Sequence, residues 1–168
     1  MVAVRPSTAE VWNWLKEIAD PEIPVLSIVD LGIVRDVQWS MDENELLVTV
    51  TPTYSGCPAM DVIMSEIRSS MEAHGIERMR IETKLSPAWT TDWMTEEARQ
   101  RLREYGIAPP ARGLIAVGDI MPASKSAIRC PRCGSEATEL VSRFGSTQCK
   151  ALYKCRSCLE PFDAFKRH

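Results

Sequence analysis

Two periods of apolar residues alternate along the first hundred positions, and the switches between them mark the elements. Val11, Trp12, Leu15, Ile18 and Ala19 recur at helical spacing behind Ser7-Thr8-Ala9-Glu10, a capping-box pattern, and Pro21 ends the run. Ile33 to Trp39 and Glu45 to Thr51 predict two strands joined through Ser40 to Asn44, with Leu46, Val48 and Val50 on one face. Met60, Ile63, Met64, Ile67 and Met71 then form a helical stripe that closes at His74 and Gly75. That spacing belongs to a buried helix face rather than a methionine-lined cofactor box. Arg78 to Lys84 alternates as a third strand, and strand, helix, strand in that order predicts a right-handed crossover. A last helix over Thr95 to Tyr105 is stopped by Gly106, with Pro109-Pro110 beyond. The predicted fold class is α+β: a small mixed three-stranded sheet packed with helices in the order α-β-β-α-β-α.

Two loops interrupt this pattern. Asp20-Pro21-Glu22-Ile23-Pro24 through Asp30-Leu31-Gly32 predicts an ordered loop, since each proline holds its predecessor extended and the glycine permits a tight bend. Its carboxylates, Asp20, Glu22 and Asp30, suit turn and cap hydrogen bonding, with direct metal ligation the less common use. Ser86 to Trp93 carries Trp89 and Trp93, which fit either a lid on the core or a partner-binding patch.

Beyond residue 110 the pattern fades. Ala111 to Ile128 holds Pro, Gly, Ala and Ser with one short apolar run, Leu114 to Val117, and reads as a tether. This divides the chain into an α+β domain over 1–110, a linker over 111–127 and a tail over 128–168. Cys130-Pro131-Arg132-Cys133 and Cys155-Arg156-Ser157-Cys158 in that tail are paired turns, and together they complete a tetrahedral thiolate set. The interval between the pairs slightly exceeds the usual ribbon spacing, and a two-stranded excursion through Thr138 to Phe144 and Ala151 to Tyr153 accommodates it. So short a module builds little core, so the metal would supply folding energy, giving a small metal-stabilised β-ribbon. Zn2+ is the expected ion, with an iron-sulfur cluster as the alternative because both take four cysteines. Cys149 adds a fifth thiol, readable as an alternative ligand, a redox neighbour or a small ribbon residue.

Composition changes this picture only modestly. The 168 residues are 45% hydrophobic and 26% charged, ordinary for a soluble globular protein. The absence of a basic-then-apolar leader or a long apolar run predicts a cytoplasmic protein with no membrane segment. In that setting, crowded cysteines point to metal before disulfides. Charge is more informative: residues 1–127 hold 12 Lys and Arg against 19 Asp and Glu, whereas 128–168 hold 8 against 4. The tail is therefore basic, but it lacks interleaved aromatics for stacking bases, which disfavours nucleic acid.

One thiol stands apart from the tail. Cys57 lies in Thr53-Tyr54-Ser55-Gly56-Cys57-Pro58, where strand gives way to helix, and Pro58 at the first helical position leaves Cys57 at or near the N-cap. Unpaired N–H groups and the helix dipole there favour a thiolate, the form that binds metal or attacks electrophiles. A small buried residue closing a turn is the competing reading.

Asp20-Pro21-Glu22-Ile23-Pro24, Asp30-Leu31-Gly32-Ile33-Val34 and Thr53 to Pro58 resemble the iron-sulfur assembly domain family over about Ser7 to Ile107. Trp89-Thr90-Thr91-Asp92-Trp93, Gly106 to Pro110, Phe144 to Tyr153 and Glu160-Pro161-Phe162 extend the likeness to full length, toward the PaaD family of bacterial phenylacetyl-CoA epoxidase systems. The resemblance implies an accessory or maturation role in aerobic phenylacetate catabolism, serving a di-iron oxygenase and an iron-sulfur reductase. It implies Cys57 as the reactive cysteine, supported by Asp20, Glu22 and Asp30, holding iron or a cluster transiently. One thiolate cannot fill a cluster that takes four ligands, so transfer would draw on a partner, a small thiol or a homodimer. The alternatives are a structural adaptor of the oxygenase complex and a thiol enzyme. With two histidines, neither in a Cys and His motif, the enzyme reading is the weakest, and the chain is not expected to be catalytic alone.

Overall fold

A computed structural model of the chain describes residues 5–40, 44–110 and 128–166. The chain forms two compact units, one of Met1–Trp89 with Trp93–Thr95, the other of Thr90–Asp92 with Glu96–His168. The tether predicted over 111–127, and residues 41–43 of the first hairpin connection, lie outside the described residues.

In the first unit, helix α1 (Thr8–Lys16) starts on the capping box, with the Ser7 side chain accepting from the Glu10 N–H while the Glu10 carboxylate accepts from the Ser7 N–H. The Ser7 N–H foremost, and the Ser7 hydroxyl that also donates to the carboxylate (2.8 Å), hold the Glu10 carboxyl below its ordinary range. The helix ends at Lys16 rather than at Pro21. Ile18 to Ile28 instead folds back on itself: Asp20 N–H donates to the Leu26 carbonyl (2.8 Å) and Ile28 N–H to that of Ile18 (3.0 Å). The fold-back drives Ile23, Leu26 and Ile28 into the core, each at most 2% exposed.

Strands β1 (Val34–Trp39) and β2 (Leu46–Val50) pair antiparallel, and β3 (Met79–Thr83) pairs parallel to β2, so β2 is central in a mixed three-stranded sheet. Leu46, Val48 and Val50 are wholly buried on one face. Helix α2 (Ala59–Ala73) connects β2 to β3 and buries Met60, Ile63, Ile67 and Met71, which leaves the methionine stripe in the core. Its C-terminal His74 stacks on Trp14 of α1, ring centroids 4.0 Å apart.

The tryptophan loop ties back onto the acidic loop. Trp89 is buried and its indole N–H donates to the Leu31 carbonyl (2.9 Å). Trp93 lies under the Arg35 guanidinium, 3.5 Å from its ring centroid. Gly32 sits at φ +71, and a Cβ there would lie 2.8 Å from Trp93 Cβ, so close approach and backbone angle both demand glycine. Trp89 is therefore a lid on the core.

In the second unit, α3 (Glu96–Tyr105) buries Ala98, Arg99 and Leu102. The Arg99 guanidinium donates to the carbonyls of Thr91 (2.6 Å) and Pro110 (2.8 Å), tying together the chain entering and leaving the helix. Burial lowers its pKa, partly offset by Asp92. Three antiparallel strands form the ribbon: β4 (Thr138–Ser142), β5 (Lys150–Cys155) and β6 (Pro161–Phe165), with β5 central. The strand β6 goes beyond the predicted excursion, although Phe162, Asp163 and Ala164 alternate legibly. Its outer edge is covered, since Ala108 N–H donates to the Asp163 carbonyl (2.8 Å) and Phe165 N–H to that of Ala108 (2.9 Å). Ala108, Cys130, Cys155, Phe162 and Ala164 make a small core flanked by Ile128 and Tyr153.

Candidate metal centre

Two turns carry the four thiols. In the first, Gly134 N–H donates to the Cys130 carbonyl and Cys130 N–H to the Ser135 carbonyl (both 2.9 Å). In the second, the register Thr138↔Cys155 sets Cys155 at the end of β5, and its N–H donates to the Glu160 carbonyl (2.9 Å). Ser135 and Ser157 bridge the turns through their hydroxyls, 2.8 Å apart. The sheet register thus brings together cysteine pairs that are distant in sequence.

The sulfurs converge. Cys130 and Cys158 are 3.7 Å apart, Cys133 and Cys155 3.5 Å, and all four Sγ atoms lie within 4.8 Å of one another. Sulfurs held at about 2.3 Å from a central tetrahedral ion would stand about 3.8 Å from each other, so this set fits one cation without rearranging the backbone. Cys130 and Cys155 are buried, whereas Cys133 and Cys158 face outward.

Electrostatics point the same way. The Cys158 N–H, directed at Cys155 Sγ (3.5 Å), is the main reason that thiol is lowered to about 6. Cys158 itself is pushed up to about 12. The Glu160 N–H pulls it down, but desolvation and the neighbouring sulfurs together outweigh that pull. Four sulfurs so close cannot all ionise unaided, and a bound dication removes the conflict. Cys149 stays outside this set, buried, with its sulfur 2.9 Å from the Thr147 hydroxyl.

Cys57 belongs to a different setting. It is half-buried, its N–H donates to the Tyr54 carbonyl (3.3 Å), and its carbonyl accepts from Met60 N–H (3.2 Å). Pro58 takes the N-cap with helical backbone angles rather than the first helical position expected for it, so Cys57 stands next to the N-cap. Proline has no N–H to be orphaned there, which is why it can occupy this position.

The acidic loop makes local bonds. Asp20 Oδ1 accepts from the N–H groups of Glu22 (2.9 Å) and Ile23 (2.8 Å), and Asp20 is buried. Asp30 Oδ2 accepts from Ser27 N–H (3.1 Å) while Ser27 Oγ accepts from Asp30 N–H (3.0 Å), a reciprocal clasp. These clasps hold the fold-back that carries Ile23, Leu26 and Ile28. Ser27, which no motif singled out, and Trp89, whose partner the sequence did not name, complete the loop. Their signal lies in the Ser-x-x-Asp spacing and in an indole N–H that needs a buried acceptor. Among the described residues, Cys130, Cys133, Cys155 and Cys158 are the one group of three or more metal-type ligands that converge.

Two family models match separate parts of the chain. Residues 8–79 match the family described as iron-sulfur cluster assembly protein, and residues 119–166 match the PaaD zinc beta ribbon domain. An Escherichia coli (strain K12) protein, provisionally named as one of the subunits of 1,2-phenylacetyl-CoA epoxidase, is 53% identical over 161 residues, covering 96% of this chain and 93% of that protein. An Fe-S protein maturation auxiliary factor of Porphyromonas gingivalis (strain ATCC BAA-308 / W83) is 35% identical over 94 residues, 55% of this chain and 88% of that one. Among solved structures, a DUF59 domain from Bacillus anthracis aligns with TM-score 0.52 at 26% identity, covering 56% of this chain and 89% of that one. A conserved hypothetical protein from Thermotoga maritima aligns with TM-score 0.51 at 29% identity, covering 60% and 98%. Through the full-length match, the chain belongs to the PaaD family of phenylacetyl-CoA epoxidase proteins, an iron-sulfur cluster assembly domain followed by a PaaD zinc beta ribbon.

Proposed function

We propose that this protein is an accessory maturation factor of a multicomponent phenylacetyl-CoA epoxidase in aerobic phenylacetate catabolism. It assists assembly of the metal or iron-sulfur centres of the oxygenase or its reductase. Zn2+ in the Cys130, Cys133, Cys155 and Cys158 set folds the ribbon, and Cys57 is the thiol that holds iron or a cluster in transit, with Asp20, Glu22 and Asp30 supporting its surroundings. The observation that carries the reading is the separation of thiols. Four are committed to one another, while Cys57 stands alone and half-buried at the start of α2 in the unit that resembles maturation factors. The short sulfur distances favour a single ion over a cluster, whose own iron and sulfide atoms would hold the cysteines further apart. A cytoplasmic location suits these roles, and no helix among the described residues is long and apolar enough to cross a membrane.

The test is Cys57→Ser in the full chain, co-expressed with oxygenase and reductase. Iron in the oxygenase, and iron and sulfide in the reductase, are expected to fall toward the level seen without the protein, while the variant keeps about one zinc per chain. Full loading by the variant would sink the carrier reading and leave the structural adaptor. A need for the protein in every turnover of fully metallated components would also favour the adaptor.

A further inference from the structure

Within the ribbon unit, one region is neither core nor metal site. The outer edge of β4 has no strand beside it among the described residues, whereas that of β6 is covered by Ala108. Leu140 and Val141 on β4 are 48% and 56% exposed, and Phe144, just past its end, is 69% exposed. A register shift between Leu140 and Ser142 marks a bulge at Val141, which re-aims side chains locally and stops the edge from pairing indiscriminately.

The charges around this patch carry the argument further. All four acidic residues of the tail are in ion pairs: Glu136 with Arg129 (2.8 Å), Glu139 with Arg156 (2.8 Å), Glu160 with Arg132 (3.5 Å) and Asp163 with Lys150 (4.0 Å). The tail's excess positive charge therefore rests on other residues, among them Lys166, which lies against the patch, and Arg143, its neighbour in sequence. Arg143 precedes Phe144 in sequence, and the Lys166 ammonium lies over the Phe144 ring, 4.6 Å from its centroid. With Glu139 on β4 already matched by Arg156, the charge left beside the apolar centre is positive, which suits a partner carrying the opposite sign.

We propose that Leu140, Val141 and Phe144, rimmed by Arg143 and Lys166, form the docking surface for a protein partner that presents carboxylates around an apolar centre. The proposal rests on the maturation reading in taking that partner to be an oxygenase or reductase component. Phe144 is the anchor, since an exposed aromatic already lined by a cation loses little freedom on burial. The aliphatic pair on β4 favours protein over nucleic acid, which would call for further stacking rings.

The experiment measures binding of the full-length, zinc-loaded chain to each purified component, at about 0.01 M and about 0.15 M salt. Phe144→Ser is expected to weaken binding about tenfold or more at both. Arg143→Glu is expected to weaken it most at low salt, where rim charges act furthest. Both side chains are exposed, so zinc content and thermal midpoint should match the wild type, and Arg143→Ala provides a milder variant should either fall. Wild-type-like binding by both variants overturns the proposal, as does failure of the wild type to bind any component. Loss of self-association, or of oligonucleotide binding, in place of component binding also overturns it, pointing to a second copy or a nucleic acid. Centre loading is measured in parallel. Docking that depends on Phe144 while centre loading is the same with and without the protein would retain the surface and refute the maturation role, whereas loading that requires the protein while both variants dock like the wild type would do the reverse.

Discussion

The two units use cysteine in opposite ways. In the first, aliphatic side chains from the fold-back loop, β2 and α2 make the core, with Leu15, Ile28, Leu46 and Ile67 wholly buried, and Cys57 sits at its margin closing a turn. In the second unit, two of the five residues in the small core cluster around β5 and β6, Cys130 and Cys155, are themselves members of the thiol set. A fully buried aliphatic side chain contributes about 1.5–3 kcal/mol, so the first unit has many such contributions and the ribbon has few. On this contrast a thiol in the first unit is free to have a function, whereas the four converging thiols of the ribbon are expected to serve the fold.

The harshest test of this contrast is removal of the ribbon's metal. Structural zinc contributes on the order of 10 kcal/mol in small modules, more than the few large buried side chains here, Phe162 and Phe165, can replace. A strong chelator, or Cys155→Ser, should abolish amide-exchange protection in β4, β5 and β6 while β1 to β3 keep theirs. Hydrogen exchange read by mass spectrometry gives both answers at once. A ribbon that stays protected without metal would erase the distinction between the units.

The converse perturbation strikes the first unit. Leu46→Ala deletes a wholly buried side chain on the central strand and should cost about 2–5 kcal/mol, read in denaturant melts, with zinc content unchanged. Gly32→Ala should cost less, about 1–3 kcal/mol, because the backbone keeps an unfavourable angle and Trp93 must shift to admit the methyl. A larger loss at Gly32 than at Leu46 would mean that the tryptophan loop, rather than the sheet, organises this unit.

Periodicity made the regular elements legible before any coordinates. The stripe from Met60 to Met71 and the alternation of Leu46, Val48 and Val50 are dictated by burial on one face, which repeats at a fixed interval. The paired Cys-x-x-Cys turns were legible for a different reason: metal geometry fixes the spacing within each pair. The fold-back from Ile18 to Ile28 was not legible, because Ile18 and Ala19 continue the helical period. Only the long-range bonds to Leu26 and Ile18 reveal that the chain has already turned. Trp89 needed the position of the Leu31 carbonyl, and Ala108 needed the edge of β6. Neither is local information. The open edge of β4, with its exposed Phe144, shows up only once burial is known.

Cys57→Ser should give the smallest effect on stability and the sharpest comparison, because the same atomic change at Cys155 is expected to unfold a module. The turn at Cys57 is made by its backbone, donating to Tyr54 and accepting from Met60, and those bonds survive the exchange of sulfur for oxygen. The side chain is half-buried and outside the converging thiols, so neither a cavity nor a lost ligand results. Stability should therefore stay within about 0.5 kcal/mol of the wild type, and zinc content should be unchanged. A thermal midpoint within error, alongside lost loading of the client centres, would separate function from fold at this one atom. A large stability loss would instead make Cys57 a packing residue, and the thiols of both units would then serve the fold.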